Sequence, residues 1–243
     1  MYKGKRIAIV IPAYNEEKLI KPTVEGVPDY IDSIIVIDDG SKDRTAEVVI
    51  GIRDERIRLI RHHKNLGLGS AIITGYKNAL ENGFDAAVVV GGDNQMDLSE
   101  LPKFLEPIIM DNADYVKGNR FLNRSFLKMP PARFMGNILL SAIEKPATGY
   151  WNIFDMHDGY TVINKKALKA VDWDNAWTGY AYNVDFLARL NIHRMKVKDI
   201  PRQAIYLKGE RQSQIKTLRY MLMAIPLIIR TWVWRIEKKY LKA

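Results

Sequence analysis

The chain has 243 residues, 47% of them hydrophobic, enough for one large domain with a packed core. It has no cysteine, which excludes a disulfide framework and any thiolate metal site and suits a reducing compartment. The net charge of +9 is concentrated at one end: from Lys208 onward nine basic residues are opposed only by Glu210 and Glu237, so that tail carries +7.

The chain opens MYKGKRIAIVIPAYNEE, whose apolar run before Pro12 is short for a secretory leader and reads as a first buried strand. SIIVIDD, IRLIRH, DAAVVVGG and ADYVKGN read as four further strands, with helical patterns beginning near Glu16, Thr45, Gly69 and Ser99 between them. Strands alternating with helices predict an α/β fold with a mostly parallel sheet flanked by helices. Beyond it, a helix is expected over 131–143, a short strand at GYTVIN, a short helix at KKALKAV, an amphipathic helix at YAYNVDFLARL and an extended MKVKDIPRQAIY. A final helix is expected from near Ser213. The simplest division is a catalytic domain over 1–212 and a basic amphipathic appendage over 213–243.

Ligands of parallel sheets gather at the carboxyl ends of the strands, and the polar clusters YNEE, DDGSKDRT and GGDNQMD fall at three such ends. In an extended segment residues two apart share a face, so Asp93 and Gln95 can offer two oxygens to one ion. Mg2+ or Mn2+ suits that set, with substrate phosphates and waters completing the shell. Gly91 and Gly92 leave room for a bulky ligand against the backbone. The competing reading is a turn that caps the next helix through Asp97 or Ser99. Asp38 and Asp39 end the second strand, where acids often bind a base or ribose; Asp43 is better read as a helix cap. Two other motifs fail. GLGSAI has Ile72 where a dinucleotide fingerprint needs its third glycine, and no Walker Gly-Lys-Ser/Thr occurs. His62 and His63 have no partner at metal spacing and read as surface or structural residues.

IVIPAYNEE, IIVIDDGSKDRT, NLGLGSA, GGDNQMD and DYVKGNRF, in this order and spacing, resemble the inverting glycosyltransferase family 2 with the GT-A (Rossmann-like) fold. The resemblance is closer to its polyprenyl and dolichyl phosphate sugar synthases. It continues through PPARFMGN, DMHDGYTVI, GYAYNVDFL and IYLKGERQSQIK, to about Lys216. It implies a nucleotide-sugar donor and a divalent metal, Mg2+ or Mn2+. By it, Pro12, Tyr14, Glu16, Ile37, Asp39 and Gly92 form the nucleotide pocket, and Asp93 and Gln95 match the metal positions. Arg120 and Arg133 match basic residues near the donor and acceptor phosphates, and Asp155 fits the acid of the acceptor-side turn. Asp185 falls where relatives carry a catalytic-region acid. Lys208 and Ser213 approximate an Arg-x-x-Gly-x-Ser-Lys segment. The sequence departs from the family at Gly91, which replaces the first acid of Asp-x-Asp, and at Arg211 and Gln214, which replace Gly and Lys. A basic residue that can follow GY is Ala181 here. Arg211 or Lys216 can supply the cation lost at Gln214.

The acceptor decides whether a base is needed. A lipid monophosphate is largely a dianion at neutral pH and needs cations to hold it, for which Arg133, Lys208, Arg211 and Lys216 are suited. A saccharide hydroxyl would need a carboxylate, with Asp185 as the candidate. The ten positions between Arg219 and Arg230 hold apolar residues and Pro226, against the roughly 20 needed to span a bilayer. With Tyr220, Trp232 and Trp234 and the flanking cations, that helix fits the membrane interface; otherwise it packs on the domain or on a second copy as a homodimer. The expected protein is therefore a hexosyltransferase on polyprenyl or dolichyl phosphate, peripheral on the cytoplasmic face of a membrane. The alternatives are transfer to a saccharide hydroxyl, or nucleotide-sugar binding without catalysis. Nucleic acid is not an expected partner, because the basic residues flank an apolar helix instead of forming a reading surface.

Overall fold

Every residue of β1 (Ile7–Ala13), β2 (Ser33–Asp38) and β4 (Ala86–Val89) is buried, as strands covered on both faces require. With β3 (Ile57–Arg61), β5 (Tyr115–Asn119), β6 (Thr161–Asn164) and β7 (Val197–Pro201) they form one sheet in the order β3-β2-β1-β4-β6-β5-β7. Only β6 runs antiparallel to its neighbours, β4 and β5; β1, β2, β3 and β4 pair in parallel, as do β5 and β7. The computed structural model describes residues 1–122, 131–203, 205 and 217–241. Its helices are α1 (Ile20–Glu25), α2 (Thr45–Ile50), α3 (Leu68–Glu81), α4 (Leu101–Ile109), α5 (Pro131–Thr148), α6 (Lys165–Ala170), α7 (Tyr182–Ile192) and α8 (Thr217–Ile236).

The two-residue period of β1 divides the core. Ala8 and Val10 point to one face, where they meet Ala71 and Tyr76 of α3 and Phe186 of α7. Ile7, Ile9 and Ile11 point to the other, against Leu101, Phe104 and Leu105 of α4. α3 lies close on β1 because Gly75 has no side chain; a Cβ there would sit 2.2 Å from Val10 Cγ1.

A third apolar cluster joins α5, α7 and α8 through Leu140, Ala147, Val184, Ala224, Leu227 and Ile228. The same two outer helices leave apolar stripes exposed. On α5 these are Met135, Ile138, Leu139 and Ile143, and on α8 Ile225, Ile229, Trp232 and Val233. Both sets follow helical spacing, so each forms one face. Among the described residues no helix is long and apolar enough to cross a membrane.

Two boundaries differ from expectation. The helix expected from Glu16 begins at Ile20, because Asn15 has φ 59° and the Glu16 carbonyl closes a turn with the Leu19 and Ile20 amides. α5 continues past Ile143 to Thr148 and stops at Gly149, whose φ of 77° suits a helix end. The start expected near Ser213, like the 212/213 division, lies outside the described residues.

Candidate active site

The carboxyl ends of β1, β2 and β4 open into a cleft of about 310 Å3. Pro12, Tyr14, Glu16, Asp39, Gly92 and Asp93 all line it, so the strand-end residues expected from sequence converge. Ile37 does not: its side chain is fully buried in the core on the α3 face of β2. Asn65, Gly67 and Tyr180 complete the walls and were not anticipated, since the glycine loop has no dinucleotide pattern and Tyr180 arrives from 115 positions away, counted from Asn65.

Asp39 is held from three sides. Its Oδ1 accepts from the Leu66 amide at 2.9 Å and meets His62 Nδ1 at 2.7 Å, and its Oδ2 accepts from the Gly67 amide at 2.9 Å. His62 Nε2 in turn meets Thr74 Oγ1 at 3.0 Å, so this histidine is structural. Asp38 is wholly buried and shapes the turn instead, accepting from the Ser41 amide at 2.9 Å and Arg61 Nε at 3.1 Å. Asp43 accepts from the Thr45 amide at 3.0 Å but stands one residue before the N-cap position of α2, which is Arg44.

Asp93 faces the cleft, but not by the extended geometry predicted. β4 ends at Val89, and Asn94 at φ 53° turns the chain between Asp93 and Gln95. The Gln95 amide donates to Asp93 Oδ1 at 3.2 Å, the Gln95 carbonyl accepts from Ile205 at 3.2 Å, and Gln95 is not among the cleft-lining residues. Burial pushes the Asp93 carboxyl above the ordinary aspartate range, opposed by the Gln95 amide. A Cβ at Gly91 would stand only 3.0 Å from Asp93 Oδ1, so the Asp93 carboxylate packs against the position where the family carries its first acid. The described residues hold no group of three or more acids or histidines able to bind a metal. One cleft-facing carboxylate, with Gly91 and Gly92 beside it in the cleft lining, does fit an ion whose other ligands are diphosphate oxygens and waters. Asp97 caps the next turn, accepting from the Ser99 amide at 2.9 Å, so the capping reading of this segment also holds.

Arg120 and Asp155 find each other. Asp155, wholly buried, accepts from Arg120 through its amide at 3.1 Å, Nε at 2.7 Å and Nη2 at 2.8 Å. Arg120 Nε also lies 3.3 Å from Asp158, which accepts from Arg202 Nε at 2.6 Å. Lys117, buried beneath, donates to the Asp155 carbonyl. Burial alone would raise the Asp155 pKa, but the Arg120 charge and hydrogen bonds and the Lys117 charge outweigh it and hold the carboxyl far below its usual range. Neither Arg120 nor Asp155 lines the cleft. The sequence had singled out neither Asp158 nor Arg202, although paired acids in DMHDG and an arginine just after β7 were the available signal. Arg133 lies in the first turn of α5, and its side chain is outside the described residues, as are Lys208, Arg211, Ser213 and Lys216.

Asp185 turns away from the donor side. On α7 its Oδ2 accepts from Arg189 Nε at 2.7 Å and from the Trp177 amide at 2.8 Å, and it borders a separate polar space beside α8. It is not a cleft residue.

A largely parallel sheet with an acid-bearing cleft at its strand ends is the architecture of GT-A glycosyltransferases. The solved structure of glucosyl-3-phosphoglycerate synthase from Mycobacterium tuberculosis, in complex with Mn2+, UDP-glucose and phosphoglyceric acid, superposes with a TM-score of 0.67 at 19% identity, over 96% of this chain and 80% of that one. The model of the family "Glycosyl transferase family 2" matches residues 8–172. The UDP-N-acetylglucosamine–dolichyl-phosphate N-acetylglucosaminyltransferase of Methanococcus voltae is 34% identical over 218 residues, 83% of this chain and 86% of that one. The undecaprenyl-phosphate mannosyltransferase of Micrococcus luteus is 27% identical over 202 residues, 81% of this chain and 82% of that one. The chain belongs to glycosyltransferase family 2.

Proposed function

We propose that this glycosyltransferase moves a hexose, with inversion, from a nucleoside-diphosphate sugar to a polyprenyl or dolichyl phosphate at a membrane surface. The observation that carries the acceptor class is the engagement of Asp185. The acid that a hydroxyl acceptor would need as base is tied to Arg189 and Trp177 outside the cleft. A phosphate acceptor needs no such base, because its second pKa of about 6 leaves it mostly dianionic at neutral pH. Similarity to the dolichyl- and undecaprenyl-phosphate transferases points the same way.

In this reading the nucleotide occupies the cleft between Tyr14, Asp39 and Tyr180. An acceptor phosphate oxygen forms the new bond to the anomeric carbon as the bond to the donor diphosphate breaks, its electron pair leaving on the diphosphate; no proton moves. Asp93 would hold the divalent ion, with diphosphate oxygens and waters as its other ligands, and such an ion would supply Lewis-acid stabilisation of the departing diphosphate. The Arg120–Asp155 clamp keeps the floor of the acceptor side rigid. The charged tail and the exposed stripes of α5 and α8 suit a peripheral seat on an anionic membrane. A panel of GDP- and UDP-sugars with Mg2+ or Mn2+, with and without a short polyprenyl phosphate, tests the reading. Nucleoside diphosphate release should require lipid and metal and vanish in Asp93→Ala. Donor binding with no lipid-dependent release would refute it.

A further inference from the structure

We propose that Asp185 is a positioning residue of the donor cleft: it pins the segment Trp177–Ala181, which carries the Tyr180 ring into the cleft wall, and it takes no proton in the reaction. This rests on the reading that the cleft holds the donor.

Tyr180 is half exposed and lines the cleft across from Asp39 and Tyr14. Burial raises its phenol pKa, and the neighbouring Asp39 and then Tyr14, which line the same cleft, add to that. The next residue, Ala181, has φ 62°, a left-handed conformation that is unfavourable for a non-glycine residue. Such a conformation persists only where its surroundings impose it.

Those surroundings are specific. The Trp177 amide donates to Asp185 Oδ2 at 2.8 Å, and the Trp177 indole N–H donates to the Tyr180 carbonyl at 2.8 Å. The Ser70 amide donates to the Thr178 carbonyl at 3.0 Å. Two glycines, Gly67 at the end of the loop before α3 and Gly69 in its first turn, let the segment lie flat there. A Cβ at Gly67 would come within 2.6 Å of the Thr178 carbonyl, and one at Gly69 within 2.6 Å of the Trp177 carbonyl. That same loop supplies the Leu66 and Gly67 amides to Asp39. Asp39, the glycine loop and the tyrosine wall are thus one hydrogen-bonded unit, with Asp185 at its far end. Asp185 is itself fixed by Arg189, whose Nη1 donates to the Asp172 carbonyl at 3.0 Å and whose Nη2 reaches the Asn175 carbonyl. The back of the wall touches α8, where the Arg230 guanidinium stands 5.8 Å from the Trp177 ring.

A base and a positioning residue differ in which kinetic constant they move. Asp185→Asn keeps an oxygen for the Trp177 amide but cannot accept a proton. It should raise the donor KM several-fold, keep turnover at saturating donor within about threefold of wild type, and leave the pH profile unchanged. Asp185→Leu, Trp177→Phe and Tyr180→Ala should each weaken donor binding, the first and last by about tenfold. Tyr180→Phe should restore most of it. The dissociation constants of UDP and GDP, measured by calorimetry with Mn2+, read the same effect without turnover. If Asp185→Leu does not fold, Trp177→Phe and Tyr180→Ala carry the test, since neither removes a buried charge.

Should turnover at saturating donor fall about a hundredfold or more in Asp185→Asn while the donor KM stays unchanged, Asp185 would be a base and the inference would be overturned. Unchanged nucleotide affinity in Tyr180→Ala and Trp177→Phe would overturn it as well, while leaving the donor-cleft reading standing. A wild-type chain that binds neither nucleotide removes that reading, and the inference with it.

Discussion

Replacing Asp155 by asparagine should destabilise the fold severely while leaving its shape almost unchanged. The carboxylate is wholly buried and takes three hydrogen bonds from Arg120, at 2.7, 2.8 and 3.1 Å. Asparagine keeps the volume but leaves a buried guanidinium, with Lys117 nearby, facing a neutral amide. Breaking one side of a buried pair costs about 3–5 kcal/mol. Asp158, 3.3 Å from Arg120 Nε, retains part of the compensation, which favours the lower end. Against a total stability of roughly 5–15 kcal/mol that is a large fraction. With a urea m-value of about 2–3 kcal/mol/M, the midpoint should fall by about 1 M or more at pH 7, followed by circular dichroism. The sign with pH is fixed by the depressed carboxyl. Its contribution is fully present above the unfolded value near 3.9 and is lost as pH falls below that toward the folded value. The gap between wild type and variant should therefore be constant from pH 7 to 5 and narrow only in acid. A midpoint shift under about 0.3 M would refute the clamp and return Arg120 to the role of a phosphate ligand.

Asp93→Asn should lower metal-dependent turnover by about 10²-fold or more with little change in melting temperature, because a carboxylate that stabilises a departing diphosphate through an ion contributes several kcal/mol to the transition state. Gly75→Ala should cost about 1–3 kcal/mol in urea unfolding, since the added methyl would meet Val10 Cγ1 at 2.2 Å. Ile229→Glu with Val233→Glu should abolish sedimentation with anionic vesicles without lowering stability, as both side chains are exposed on α8; retained binding would assign that stripe to another partner.

Much of the fold was legible in the sequence because buried parallel strands write themselves as apolar runs, and β1 to β5 fall where those runs predicted. The strand-end residues were legible for the same topological reason: Pro12, Tyr14, Glu16, Asp39 and Asp93 meet in one cleft. What failed was local conformation and pairing. The two-apart rule for Asp93 and Gln95 assumed an extended chain, and Asn94 in the left-handed region breaks it. Arg120 and Asp155 each looked like a ligand of phosphate or acceptor, yet a sequence does not reveal that β5 and the loop before β6 bring them within hydrogen-bond distance. Tyr180 was missed because its place depends on Asp185, Trp177 and two glycines far away in sequence.

The central claim is that the acceptor is a phosphate and that no residue need act as base. Its most direct test sets a short polyprenyl phosphate against the corresponding polyprenol, with the same nucleotide-sugar, metal and detergent, and follows the glycolipid product by mass spectrometry from pH 6 to 8. Product from the phosphate alone, with its rate rising only as the second phosphate proton leaves near pH 6, is the predicted result. Comparable product from the alcohol would contradict it.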